Sequence, residues 1–122
     1  MITPRRERQA SVARWVSKLF GPAQAADVKG RATRMLEEAI EAAQAAGVSE
    51  DVVGKLTRRV YDKPAGDLRQ EIGQVGLTLL AFSAAAGFDA DTLEDEQVVR
   101  AWTTDPKLFH DSYAKKVALG VG

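Results

Sequence analysis

The chain has 122 residues, with 17 Lys and Arg balancing 17 Asp and Glu, a single histidine and no cysteine. That length suits one domain spanning 1–122. The missing thiols exclude disulfides, cysteine-bound zinc, iron–sulfur clusters and thiol catalysis, and a lone His110 excludes a His-rich metal site. A formal net charge of zero argues against duplex nucleic acid as the main partner, because binding phosphate backbones takes a basic surplus.

The first segment carries Val12, Trp15, Val16, Leu19 and Phe20 at i, i+3, i+4, i+7 and i+8, an amphipathic helix that Gly21-Pro22 stops. Ahead of it, Arg5, Arg6, Arg8 and Arg14 read as a solvated helix end. A second helix is expected over Asp27–Ala46. Its stripe is Ala32, Met35, Leu36, Ala39, Ile40 and Ala43, and Gly47 supplies the C′ residue. Ser49 caps a third helix that ends near Tyr61, with Glu50 and Asp51 suited to the first turn. Residues 62–66 form a loop. Asp67 with Gln70 reads as a capping box opening a fourth helix that ends at Gly87. A fifth starts near Asp89 to Asp91 and reaches Trp102. Asp105-Pro106 reads as N-cap and N1 of a last helix, with a frayed tail at 118–122. The fold class is all-α, a helical bundle.

The longest largely apolar run, Val75 to Phe88, falls short of the roughly 20 residues a membrane span needs. The opening MITPRRERQA lacks the apolar stretch of a secretory signal, so a cytoplasmic protein is expected, with no membrane and no nucleic acid as partner. The fourth helix is apolar nearly all round, so it is expected to be central and buried.

Glu37, Glu38 and Glu41 stand as Glu-Glu-x-x-Glu in the second helix, away from the Leu36–Ile40–Ala43 stripe, with Arg34 one turn earlier. A solvated charged face would read the same way. Glu71 shares an arc of the fourth helix with Leu68, Val75 and Phe82. A carboxylate there is expected to be partly desolvated and to need a partner, with Gln74 one turn on. If the polar face of the second helix met the start of the fourth, Glu38, Glu41 and Glu71 would converge. Such a cluster needs a bound cation or shifted protonation, and oxygen ligands favour Mg²⁺ or Mn²⁺.

Arg34-Met-Leu-Glu37-Glu38-Ala-Ile-Glu41, followed by Glu71-Ile-Gly-Gln74 at the head of an apolar helix, resembles the MazG-like all-α nucleoside triphosphate pyrophosphohydrolases. The likeness spans about residues 9–103 and takes in the first helix with Trp15 and Phe20. It implies an α-helical bundle of the all-α NTP pyrophosphatase type, with a four-helix core and extra short helices, assembled as a homodimer or homotetramer. It also implies Mg²⁺-dependent hydrolysis of nucleoside triphosphates to the monophosphate and pyrophosphate, in a house-cleaning role. Carried over by position, Glu38, Glu41 and Glu71 are metal ligands, Glu37 is a helper, and Gln74 replaces the family's Asp. A glutamine amide oxygen can ligate a metal but brings no charge and no base. Arg34 and Lys63 are candidate phosphate contacts, with Arg31 and Arg58 behind them. Trp15 is a candidate stacking platform for the base, although it also fits a core stripe with Val12, Val16 and Leu19. Trp102 and Tyr61 are weaker candidates, and His110 reads as a surface residue.

Phosphoribosyl-ATP pyrophosphohydrolase, which shares the fold and similar acidic motifs, is the runner-up. A non-catalytic nucleotide-binding or oligomerising protein is the reading from another class, with Gln74 as the mark of lost turnover. A helix-turn-helix regulator is disfavoured for want of a basic recognition helix. The apolar fourth helix independently suggests that a second chain's helices complete the fold.

Overall fold

The computed structural model describes all 122 residues, arranged as seven helices with no strand. They are α1 (Arg5–Phe20), α2 (Pro22–Ala25), α3 (Val28–Ala45), α4 (Glu50–Tyr61), α5 (Leu68–Ala86), α6 (Ala90–Thr103) and α7 (Pro106–Ala118). The protein is an all-α helical bundle. No single helix is long and apolar enough to cross a membrane.

Local chemistry sets the helix ends. Asp27, Ser49, Asp67, Asp89 and Asp105 are N-caps whose side chains accept from backbone N–H groups in the first turn, satisfying donors that the helix cannot. The Asp67 carboxylate, for instance, accepts from Gln70 N at 3.0 Å. Gly87 closes α5 at φ +78°, a left-handed conformation that costs a residue with a Cβ more than it costs glycine. The one element not expected is α2, a single turn started by Pro22, which bridges the stop at Gly21 to the cap at Asp27.

The best-packed part of the chain joins its two ends. Val16 is the one buried apolar residue. Around it, Trp15 meets Phe109 edge-on with ring centroids 5.1 Å apart, and Phe20 lies 5.1 Å from Tyr113 and 5.5 Å from His110. Trp15 Nε1 donates to the Ala101 carbonyl at 3.1 Å, and Trp102 Nε1 donates to Ser11 Oγ at 2.9 Å. Helices α1, α6 and α7 are thereby held together.

Arg8 departs from the solvated-end expectation. Its side chain is only 3% exposed and reaches Asp91 at 2.5 Å and Glu94 at 2.8 Å on α6, and it also donates to the Thr3 carbonyl. Arg5 adds a second, more exposed bond to Glu94 at 3.0 Å. A buried guanidinium needs this many acceptors, and both carboxylates come from the far end of the sequence. The tail also differs from expectation. Val121 N donates to the Lys116 carbonyl at 2.9 Å, and the Val121 carbonyl accepts from Arg34.

The expectation of a buried α5 is overturned. No residue of α3, α4 or α5 is buried. Leu68, Ile72, Leu77 and Leu80 are each more than half exposed. Periodicity identified an apolar helix correctly, but no element of the same chain covers it.

Candidate functional site

Helix α3 begins at Asp27, whose carboxylate accepts from Gly30 N at 3.1 Å. From that start, its Glu-Glu-x-x-Glu segment falls on the side facing the α1–α6–α7 unit. One ligand oxygen from each of Glu37, Glu38 and Glu41 can lie within 4.8 Å of the others. Two carboxylates at that spacing repel by about 1–3 kcal/mol, depending on how much water screens them, so the cluster needs positive charge nearby.

Part of that charge comes from the chain itself. Lys116 Nζ on α7 sits 2.7 Å from Glu37 Oε1, and Arg34 Nη1 is 3.6 Å from the same oxygen. The hydrogen bond from Lys116 holds the Glu37 carboxyl below the usual carboxylate range. Glu38 and Glu41 are exposed and form no ion pair with a side chain of the protein. Glu37 is thus tied up in a structural link between α3 and α7, while Glu38 and Glu41 remain open for an external cation.

Glu38 and Glu41 open onto a cleft of about 640 Å³ between α3 and the α1–α6–α7 unit, within the size range of small-molecule sites. Trp15, Trp102 and Phe109 form its aromatic part, and Glu94 and Arg100 from α6 add charge. Burial pushes the Glu94 carboxyl up, but hydrogen bonds and charge from Arg5 and Arg8 outweigh this and hold it below the ordinary range. Glu94 is therefore an ionised, already paired group at the rim.

Glu71 and Gln74 stand outside the acidic cluster and do not line this cleft. The expected convergence of Glu71 with Glu38 and Glu41 is not formed within the single chain. Glu71 is exposed, and its carboxylate folds back over the preceding loop, where a Cβ built on Gly66 would lie 2.8 Å from Oε1. The polar face of α3 meets α6 and α7 rather than the head of α5.

Of the other candidates, Arg34 is half-buried and is already engaged by Glu37 and the Val121 carbonyl. Lys63 lies exposed in the 62–66 loop. His110 is exposed as expected, yet its Nε2 is 2.8 Å from the Leu19 carbonyl, so the ring helps join α7 to α1.

Sequence reasoning missed Glu94, Arg100, Phe109 and Ser112 as cleft residues. A signal existed for the first: Glu94, Val98 and Ala101 repeat at i, i+4 and i+7 on one face of α6. Nothing local pointed that face at α3. No family model, characterised protein or solved structure matches this chain.

Proposed function

We propose that the chain is a Mg²⁺-dependent nucleoside triphosphate pyrophosphohydrolase, as the MazG-like motif Glu37-Glu38-x-x-Glu41 suggests, acting in the cytoplasm on a (d)NTP. One observation carries the reading: Glu38 and Glu41, the two uncommitted carboxylates of that motif, share a cleft with Trp15 and Trp102. A divalent cation and an aromatic platform a short distance apart are what a nucleotide requires, one for its phosphates and one for its base.

In this reading Glu38 and Glu41 hold the ion, with Mn²⁺ as a substitute. Bound there, Mg²⁺ would neutralise the triphosphate and acidify a water for in-line attack. The protein's own contribution is positional. Lys116 fixes Glu37 and with it the register of α3 against α7. The hydrogen bond of Trp15 Nε1 to the Ala101 carbonyl fixes the plane of the indole. Arg100, which lines the cleft and forms no ion pair, is a cation available for phosphate there, while Lys63 is exposed and unpaired in the 62–66 loop.

The position of Glu71 and the uncharged Gln74 favour a second reading, a protein that binds nucleotides without turning them over. Incubating the protein with a panel of ribo- and deoxyribonucleoside triphosphates and Mg²⁺, with pyrophosphate as readout, separates the two. Pyrophosphate release that vanishes in both Glu38→Gln and Glu41→Gln supports the hydrolase. Saturable nucleotide binding with no release from any triphosphate overturns it in favour of binding alone.

A further inference from the structure

The cleft does not end at its aromatic part. A second chamber of about 140 Å³ adjoins it, and Trp15, Ala101, Trp102, Thr104 and Phe109 line both. Glu38, Glu41 and Glu94 belong only to the larger cleft, whereas Lys18, Leu19 and His110 belong only to the smaller chamber. On α6 the lining runs from Glu94 to Trp102, about 12 Å along the helix axis, and the smaller chamber begins only at Ala101. Glu94 and Lys18 therefore mark opposite ends of two joined chambers, with the indoles between them and the acidic motif outside the inner one.

The inner chamber has room for one ring. A cavity of roughly 150 Å³ holds a benzene-sized molecule, and the faces of Trp15, Trp102 and Phe109 suit a stacked heterocycle. Most of its polar groups are already spent. Trp15 Nε1 donates to Ala101, Trp102 Nε1 to Ser11, Thr104 Oγ1 to the Arg100 carbonyl at 2.6 Å, and His110 Nε2 is taken up by Leu19. Lys18 forms no ion pair. Its ammonium lies 5.8 Å from the centre of the Trp102 ring.

We propose that the inner chamber is the base subsite, and that Lys18 makes it selective for bases carrying an oxygen rather than an amine on the edge remote from the sugar: uracil, thymine and guanine over cytosine and adenine. The inference rests on the reading that the cleft takes a nucleotide. With the phosphates held at the Glu38–Glu41 end, that edge is the part of the base that enters the chamber first. An ammonium has three donors and no acceptor, so it makes a charge-assisted bond to a ring carbonyl. An exocyclic amine in the same place sets donor against donor, which is discrimination by repulsion as well as by attraction.

Calorimetric titration with Mg²⁺ complexes of the uncleavable α,β-methylene analogues of UTP, CTP, GTP and ATP tests this. Affinity is expected to be about tenfold higher for the UTP than the CTP analogue, and for the GTP than the ATP analogue, the effect of one hydrogen bond to a charged donor. Lys18→Met removes the donor and should bring both ratios near one. Lys18→Glu supplies an acceptor and should reverse them. Lys18 is exposed, so both variants are expected to melt with the wild type. Wild-type ratios near one overturn the proposal, and so do ratios that survive Lys18→Met. Selective binding by a protein that releases no pyrophosphate from the natural triphosphates defeats the hydrolase reading and upholds this one. Pyrophosphate release that ignores the base defeats this one alone, and no binding of any nucleotide overturns both.

Discussion

Lys116 on α7 holds Glu37 on α3 at 2.7 Å, across most of the sequence. Both side chains are about a quarter exposed, so the pair is worth about 0.5–1 kcal/mol at neutral pH. The folded state lowers the Glu37 pKa. The stabilisation is therefore complete above the unfolded carboxylate value and is lost as pH falls through the folded one. Lys116→Met is expected to lower the melting temperature at pH 7 by a few degrees, with the gap to wild type closing in acid. A gap that persists at pH 3 would assign the effect to packing.

Metal binding should divide the three glutamates unequally. Because Lys116 already neutralises Glu37, Glu38 and Glu41 are the residues left for Mg²⁺. Saturating Mg²⁺ is expected to raise the wild-type melting temperature through preferential binding to the folded state, and a chelator should reverse the rise. Glu38→Gln and Glu41→Gln should abolish the shift, whereas Glu37→Gln should retain most of it. Differential scanning fluorimetry across a Mg²⁺ titration reads all of these.

Trp15 has two roles in the structure, packing on Phe109 and lining the cleft. Base stacking on an indole contributes about 1–3 kcal/mol, so Trp15→Ala should weaken nucleotide binding by roughly 5- to 150-fold. Trp15→Phe keeps a stacking surface and should recover much of that affinity while losing the hydrogen bond to Ala101. Calorimetric titration with a Mg²⁺–nucleotide complex decides this. Equal affinities for all three proteins would remove Trp15 from the binding site.

Arg8 should be the most sensitive residue of α1. Replacing it with methionine leaves Asp91 and Glu94 without their shared partner, and stranded carboxylates are costlier than a lost surface charge. The melting temperature is expected to fall by roughly 5–10 °C. Adding Glu94→Gln in the same chain should recover part of the loss, which a double-mutant cycle would register as coupling.

Gly87→Ala probes the turn between α5 and α6. With φ at +78° and nothing within 4 Å of a built Cβ, the cost is conformational rather than steric, about 1 kcal/mol. Chemical denaturation measures it directly, and a neutral substitution would show that the turn relaxes.

The helix ends were legible because their determinants are local. Ser49, Asp67 and Asp105 each cap within three residues of themselves, and Gly87 stops α5 where it stands. Partners from the far end of the chain left no such trace. The burial of Arg8 depends on Asp91 and Glu94, which no periodicity in α1 could indicate. The acidic trio was readable because it lies within one helix, but its distance from Glu71 depends on how α3 and α5 are arranged. The apolarity of α5 was equally plain in the sequence, whereas its exposure depends on where the other helices pack and leaves no local trace.

Arg8 and Val16 are the only buried residues, and this has a kinetic consequence. Capped helices form within about a microsecond from contacts along the chain, so little of this fold waits on distant segments finding one another. If chains must then meet to cover α3 and α5, the slow phase of refolding becomes a collision between molecules. Its half-time should halve when the protein concentration doubles, and a dilute refolding chain should linger as helices without a finished interior.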